Sequence, residues 1–289
     1  MKPAAFSYVA PKEVPEVVGL LAKHGSDARV IAGGQSLVPL MNLRIMQPAV
    51  LIDLNRCNGL DYIEHRGAYL AFGPMTRQIV AMKSALVREH CPLVAQALEW
   101  TGPVAVRSRA TVGGTLAHAD RVAELPAVAI ALDAVMVIEG AKGRREVGAA
   151  DFFQGDLTTA IEPEEFLREV RFPVCKPDAY TNFSEVSVRQ EGVAVIGLAV
   201  YLERSGEKVH KVALAAMGVD SAPVRLRKAE SLVLQRGLGA GAVQEAAAAA
   251  CAEVDPMPDL YASAAYRRHV IGALLKKALV GAAGRNPDE

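Results

Sequence analysis

The sequence predicts an α+β protein built as two domains. Three observations carry this. The chain has 289 residues, and domains run to roughly 100–200 residues each. Its first half alternates strand-like and helix-like segments. Its second half sets three β-rich runs before three helical ones, the segregated order of a small α+β unit. Pro173 and Pro177 mark the change between the two patterns. Hydrophobic residues make up 51% and charged residues 22%, so the chain has apolar material for cores and lacks the makeup of a disordered protein.

Each element has its own signal. Over residues 14–24, Val14, Val17, Val18 and Leu21 recur on one helical face after a Pro-Lys-Glu start. Residues 29–31 form a short apolar strand ending at Gly33-Gly34, and 49–54 are a second β-rich run. Runs 61–65 and 68–72 flank Arg66-Gly67, a hairpin pattern, and 135–139 with 144–148 repeat it. Residues 84–100 read as one helical stretch. In the second half, strands are expected over 180–188, 194–202 and 209–216, then helices over 223–235, 242–252 and 263–280. The alanine run 246–250 reads as helix, because alanine is the best helix former.

Composition removes several function classes. Lysine plus arginine equals aspartate plus glutamate at 32 each, so the broad basic field of a nucleic-acid binder is missing. The longest apolar stretch, 125–138, contains Asp133 and falls short of the roughly 20 residues a membrane span needs. The N-terminus has no continuous apolar region of signal-peptide type, which points to the cytoplasm and sets aside the glycosylation pattern at Asn182-Phe183-Ser184. Cys57, Cys91, Cys175 and Cys251 are far apart in sequence and form no CxxC pair, so a disulfide framework or iron–sulfur site is not expected and buried, inert thiols are. No HxxxH or HExxH pair suggests a zinc site.

Two glycine loops carry the chemistry. Ala32-Gly33-Gly34-Gln35-Ser36 follows a strand, and Thr111-Val112-Gly113-Gly114-Thr115 follows the polar Arg107-Ser108-Arg109. Paired glycines admit positive φ and close approach of backbone to a ligand. Successive N–H groups in such turns form an anion-binding concavity, and Gln35, Ser36, Thr111 and Thr115 offer further donors. Two such loops suit the two sides of a pyrophosphate; a single pair would read as a tight turn. Neither is GxGxxG, and neither contains GK[ST]. Gly237-Leu238-Gly239-Ala240-Gly241 follows a helical segment and reads as a connection between helices.

At this point the chain resembles a family, the FAD-binding medium subunits of molybdenum hydroxylases. AGGQS matches the family's AGG[HQ]S loop and TVGG its T[IV]GG loop. LIDLNR (51–56), FGPMT (72–76), TTAIEPEEFLREVRFP (158–173), FSEVSVR (183–189) and SAPVRLRKAE (221–230) match in order, so the likeness covers nearly the whole chain. The resemblance implies a two-part FAD-binding domain of vanillyl-alcohol-oxidase/MurB type over 1–175. Over 178–285 it implies a C-terminal domain with a three-stranded antiparallel sheet and a three-helix bundle. It implies noncovalent FAD held at the pyrophosphate by Ala32, Gly33, Gly34, Gln35, Ser36 and Leu37 on one side and by Thr111, Val112, Gly113, Gly114 and Thr115 on the other. Arg29, Val30 and Ile31 line the adenosine end in this reading. Phe166 and Leu167 lie near the adenine, Glu124 matches an acidic residue near the ribityl chain and flavin, and His118 is a further candidate.

The chain also departs from the pattern. Thr115 replaces Asn or Asp after the second loop, and HADP becomes His118-Ala119-Asp120-Arg121. Gly-Asp-Phe-Ala becomes Glu191-Gly192-Val193-Ala194, a change that bears on the flavin face. His118 reads equally as a flavin neighbour or a loop anchor, and Asp120 as a loop donor's partner or a local Asx-type cap. Arg189 reads as a surface ion-pair residue before an acceptor-steering one, and Trp100 as a core or interface anchor before a flavin stacker.

The function implied by the resemblance is electron transfer: a medium subunit takes electrons from [2Fe–2S] clusters of a small partner subunit and passes them to an external acceptor. A large molybdopterin subunit acts on the substrate, in a dimer of heterotrimers without an integral membrane segment. No catalytic acid or base and no metal ligand is expected in this chain. A self-sufficient FAD oxidoreductase acting on a small molecule is the rival, and an FAD-dependent assembly subunit a third reading.

Overall fold

The computed structural model describes residues 1–189 and 192–284; Glu191 of the departure noted above and residue 285 at the expected domain end lie outside them. The chain opens with β1 (Ser7–Val9), α1 (Val14–His24), β2 (Ala28–Ile31), α2 (Leu37–Asn42) and β3 (Val50–Asp53). The strands form a parallel sheet in the order β1-β3-β2. α1 carries Glu16 in its first turn and Lys23 and His24 in its last, matching the helix dipole. It buries Val17 and Leu21 on a small core with Ile52, Leu54 and Leu60.

A larger lobe follows. Its strands β4 (Ile63–Arg66) and β5 (Tyr69–Phe72) form the first expected hairpin, turning at Gly67 with φ +64°. Helices α3 (Gln78–Lys83), α4 (Ala85–His90), α5 (Pro92–Trp100), α6 (Val104–Arg107), α7 (Val112–His118) and α8 (Glu124–Ala131) come next. The second hairpin is β6 (Val135–Gly140) with β7 (Gly143–Gly148), then α9 (Ala149–Phe152), β8 (Phe153–Gly155), β9 (Thr158–Thr159) and β10 (Glu165–Pro173). The main sheet runs β4-β5-β10-β6-β7, so the last strand in sequence is central.

A bulge at Arg168 shifts the β10 register between Leu167 and Glu169. Leu167, Val170 and Phe172 thereby share one core, while Phe166 enters the core of the first lobe. Phe172 meets Phe72 edge to face at 5.5 Å.

The third part holds β11 (Tyr180–Ser187), β12 (Ala194–Ser205), β13 (Lys208–Met217) and β14 (Val224–Arg225), then α10 (Arg227–Arg236), α11 (Ala240–Glu253) and α12 (Ala264–Ala282). β12 shows strand alternation directly: Leu198, Val200 and Leu202 join the core under the three helices, whereas Ala199 and Tyr201 join the core of the preceding lobe. α8 is buried all round for the same reason, lying between that lobe and this sheet.

Several expectations need correction. The stretch 84–100 is two helices, because Pro92 lacks the N–H that would continue the first and instead occupies the first turn of the second. The expected three-stranded sheet carries a two-residue fourth strand at its edge, so α10 begins at Arg227 and not at residue 223. The apolar run 125–138 is α8 and β6 separated at Asp133, which has φ +52°. Gly237–Gly241 does span the junction of α10 and α11. Cys91 and Cys175, distant in sequence, are both buried, with Cys91 Sγ donating to the Pro173 carbonyl at 3.5 Å, while Cys57 and Cys251 are only half-buried. Of the core or interface anchor expected at Trp100, the core half does not hold: the residue ends α5 41% exposed.

Candidate functional site

A cleft of about 480 Å³ opens between the first lobe and the second. Three stretches far apart in sequence wall it: 29–37, 110–118 without Val112 and Leu116, and 157–167 without Ala160 and Glu164. Every site residue expected from the sequence lines this cleft except Val112 and Glu124. Val112 faces inward and is fully buried. Glu124 is the first residue of α8 and sits buried in the seam towards the C-terminal sheet.

The two glycine loops do different work. The first leaves β2 and reaches α2 through Gly34, whose φ of +72° favours glycine. Among the described residues the amides of Gly34, Gln35 and Ser36 find no acceptor in the chain, and Gln35 turns its side-chain amide back onto the Gly33 carbonyl at 3.1 Å. Three consecutive unpaired N–H groups beside a cleft suit an anion. The second loop offers no such donors. The Gly113 amide donates to the Pro74 carbonyl at 3.1 Å, and the Gly114 amide to Thr111 Oγ1 at 2.9 Å. Thr111 is the N-cap of α7, so the second glycine pair lies in a helical turn.

Gly113 and Gly114 are needed for space and not for positive φ. A Cβ on Gly113 would lie 2.5 Å from Pro74, and one on Gly114 2.7 Å from Thr111 Oγ1. Gly33 is equally confined: its Cβ would collide with the Arg109 carbonyl and lie 2.8 Å from Ala110 Cα. The loops are thus pressed against each other, backbone to backbone.

Two residues that sequence reasoning did not single out hold them there. Asn55 Nδ2 donates to the Ala32 carbonyl at 2.8 Å, and its Oδ1 accepts from Arg77 Nη2 at 2.5 Å. Arg77 Nη1 donates to the Arg109 carbonyl. A strut therefore runs from the first loop through Asn55 and Arg77 to the segment before the second. Asn55 lies in LIDLNR and Arg77 directly follows FGPMT, so the signal was present in the motifs, though not the contact. Gln78 Nε2 adds a bond to Thr115 Oγ1 at 2.8 Å. Thr115, one of the departures from the family pattern, is thereby engaged within the protein.

His118 lines the cleft. Asp120 Oδ1 accepts the Val122 amide at 3.0 Å, the local Asx-type turn. Arg189 is exposed. In the seam, burial pushes the Glu124 carboxyl up to about 7. Burial and the neighbouring Glu124 push Glu185 up to about 8. Glu185 Oε2 has no hydrogen-bond partner among the described residues. No group of three metal-ligating side chains occurs among the described residues, and no helix there is long and apolar enough to cross a membrane.

A cleft between a small parallel lobe and a larger mixed one, with free amides on one side and a backbone-packed glycine pair on the other, suits a phosphate-bearing cofactor. The chain belongs to the family of FAD-binding domains in molybdopterin dehydrogenases, whose model matches residues 4–175; the CO dehydrogenase flavoprotein C-terminal domain matches 181–282. It is 37% identical to the carbon monoxide dehydrogenase medium chain of Hydrogenophaga pseudoflava, over 99% of both chains. It is 35% identical to the 6-hydroxypseudooxynicotine dehydrogenase complex subunit alpha of Paenarthrobacter nicotinovorans, over 99% of this chain and 97% of that one. A solved carbon monoxide dehydrogenase from Hydrogenophaga pseudoflava superposes with a TM-score of 0.96 at 38% identity, covering 99% of each chain. Quinoline 2-oxidoreductase from Pseudomonas putida 86 gives 0.93 at 32%, covering 98% of this chain and 99% of that one. The protein is an FAD-binding oxidoreductase subunit of the molybdenum hydroxylase type.

Proposed function

We propose that this chain is the electron-relay subunit of a three-subunit molybdenum hydroxylase. In this reading it accepts electrons from [2Fe–2S] clusters of a small partner and delivers them to an external acceptor, while a large molybdopterin subunit acts on the substrate. The two domains are taken as 1–175 and 178–285, and the assembly as a dimer of heterotrimers in the cytoplasm. The observation that carries the reading is the cleft itself: the unpaired amides of Gly34, Gln35 and Ser36 suit a pyrophosphate, and the missing side chains of Gly33 and Gly114 let the two walls beside them pack closely.

Bound FAD supplies the electron chemistry. This chain's own residues bind and orient it. The first-loop amides hold the diphosphate charge, and the Asn55–Arg77 strut fixes their distance from α7. Arg29, Val30, Ile31, Phe166 and Leu167 surround the adenosine end and exclude water from it. Nothing in the glycine loops resembles a nucleophile or acid–base pair. The four cysteines are free and do not form a ligand set, so in this reading the iron–sulfur clusters belong to the partner subunit.

The test uses the purified chain. Acid precipitation is expected to release all yellow colour as free FAD. The chain alone is expected to reduce no dye with organic substrate, and activity is expected to return when the iron–sulfur and molybdopterin subunits are added. Oxidation of an organic substrate by the chain alone at about 1 s⁻¹ or faster would replace this reading with the self-sufficient flavoenzyme.

A further inference from the structure

The end of α7 leads from the cleft to the C-terminal domain by one unusual route. His118 lines the cleft, and Ala119 then takes φ +52°, a conformation that costs energy for a residue with a Cβ. The turn is held from both sides. Ala119 offers its carbonyl to the Leu157 amide at 3.0 Å, and Arg121 donates its amide to Asp156 Oδ1 at 3.2 Å. Leu157 is itself part of the opposite wall.

The Arg121 side chain then crosses to the C-terminal domain. Its Nη2 donates to Asp259 Oδ2 at 3.0 Å, and its Nε stands 4.0 Å from Asp156 Oδ2. Its carbonyl accepts the Gly218 amide at 2.8 Å. Asp259 is not a loose surface acid. Its Oδ1 takes the amides of Tyr261 and Ala262, and its Oδ2 also takes Arg267 Nη2 at 2.6 Å. Arg267 is fully buried and donates to the Val195 and Gly218 carbonyls at the ends of β12 and β13. A continuous line of hydrogen bonds therefore joins two walls of the cleft to the C-terminal sheet.

Exposed ion pairs contribute little. This one differs because Arg121 is only 16% exposed and shares its acceptor with a cation that has no exposure at all. The line also depends on the residue type. A proline at 121, as in the family pattern, would have neither the guanidinium nor the N–H that Asp156 accepts.

We propose that Arg121 is a positioning residue: it sets the separation of the His118 and Leu157 walls by tying both to Asp259 and Arg267, so that FAD binding and the seating of the C-terminal domain are coupled. This rests on the reading of the cleft as the FAD site. Arg121→Ala leaves the Arg267–Asp259 pair intact, so the chain is expected to fold, and Arg121→Lys restores the charge.

Two measurements on the full chain test it. Hydrogen exchange without cofactor is expected to quicken about tenfold at 118–121, 156–159 and 259–262 in Arg121→Ala, and to stay near wild type in Arg121→Lys. FAD titration by flavin fluorescence is expected to show Kd about tenfold higher in Arg121→Ala, with an altered visible circular-dichroism band of the bound flavin. Unchanged exchange overturns the tie. Quickened exchange with Kd within about twofold of wild type overturns its bearing on the cofactor. A wild-type chain that takes up no FAD refutes the reading of the site instead, and is recognised because the exchange measurement needs no cofactor.

Discussion

At the scale of single residues, a methyl group on Gly33 would run into the Arg109 carbonyl. Gly33→Ala is therefore expected to push the first loop from the segment before α7 and raise the FAD Kd at least about tenfold, or about 1.4 kcal/mol. Gly19 is the control: an added Cβ there meets nothing within 4 Å, and Gly19→Ala in α1 is expected to stabilise by about 0.5–1 kcal/mol. Equilibrium dialysis and urea unfolding check the pair, and unchanged FAD affinity in Gly33→Ala would make the loop an ordinary turn. The second residue-scale prediction concerns the seam. Burial raises Glu124 to about 7, and burial with the Glu124 charge raises Glu185 to about 8, both from 4.5. The folded chain thus keeps protons that the unfolded chain releases. The stabilisation is complete below pH 4.5 and is lost as pH rises through about 8. Melting temperature is expected to fall across that window. Glu185→Gln, which stays neutral, is expected to flatten the fall and exceed wild type at pH 8; an unchanged slope would place the titration elsewhere.

At the scale of elements, α7 begins where its sequence argues least for a helix. Gly113 and Gly114 occupy its first turn, and the Thr111 cap compensates by accepting the Gly114 amide. Thr111→Val keeps the shape and removes that acceptor, so it is expected to cost about 1 kcal/mol; a loss below about 0.3 kcal/mol in urea unfolding would deny the cap its role. The same place shows what was legible in the sequence. Helical periodicity gave α1 residue for residue, the turn pattern gave both hairpins, and β-rich composition gave β11 to β13, because those signals are local. Paired glycines concealed α7, because glycine propensity opposes a helix that tertiary contacts with Pro74 and Thr76 impose. The break at Pro92 was readable from proline chemistry but is masked by the apolar residues on either side. The two glycine loops were legible as motifs. Their division of labour was not, since whether an amide is free depends on Pro74 and Thr111 folding beneath it. Asn55 and Arg77 meet across 22 positions, and no periodicity encodes such a contact.

At the scale of the whole molecule, the cleft is assembled from segments more than a hundred residues apart, and the C-terminal sheet closes the far side of α8. β10 has a particular place in this. It is the last strand of its sheet in sequence, lies between β5 and β6, and carries Glu165, Phe166 and Leu167 to the cleft wall. A chain emerging from the ribosome N-terminus first consequently has both glycine loops in hand long before it has a pocket. The two hairpins have no shared partner until Pro173 is made, roughly ten seconds or more into synthesis at about 5–20 residues per second. The cleft cannot be complete before β10 has been made. Ribosome-bound chains arrested before Glu165 emerges are expected to retain no FAD, whereas arrest after Pro173 clears the tunnel permits retention. Flavin held by the shorter set would mean that the loops close without their third wall. The position of a single strand thus sets the earliest point in synthesis at which the third wall of the cleft can close.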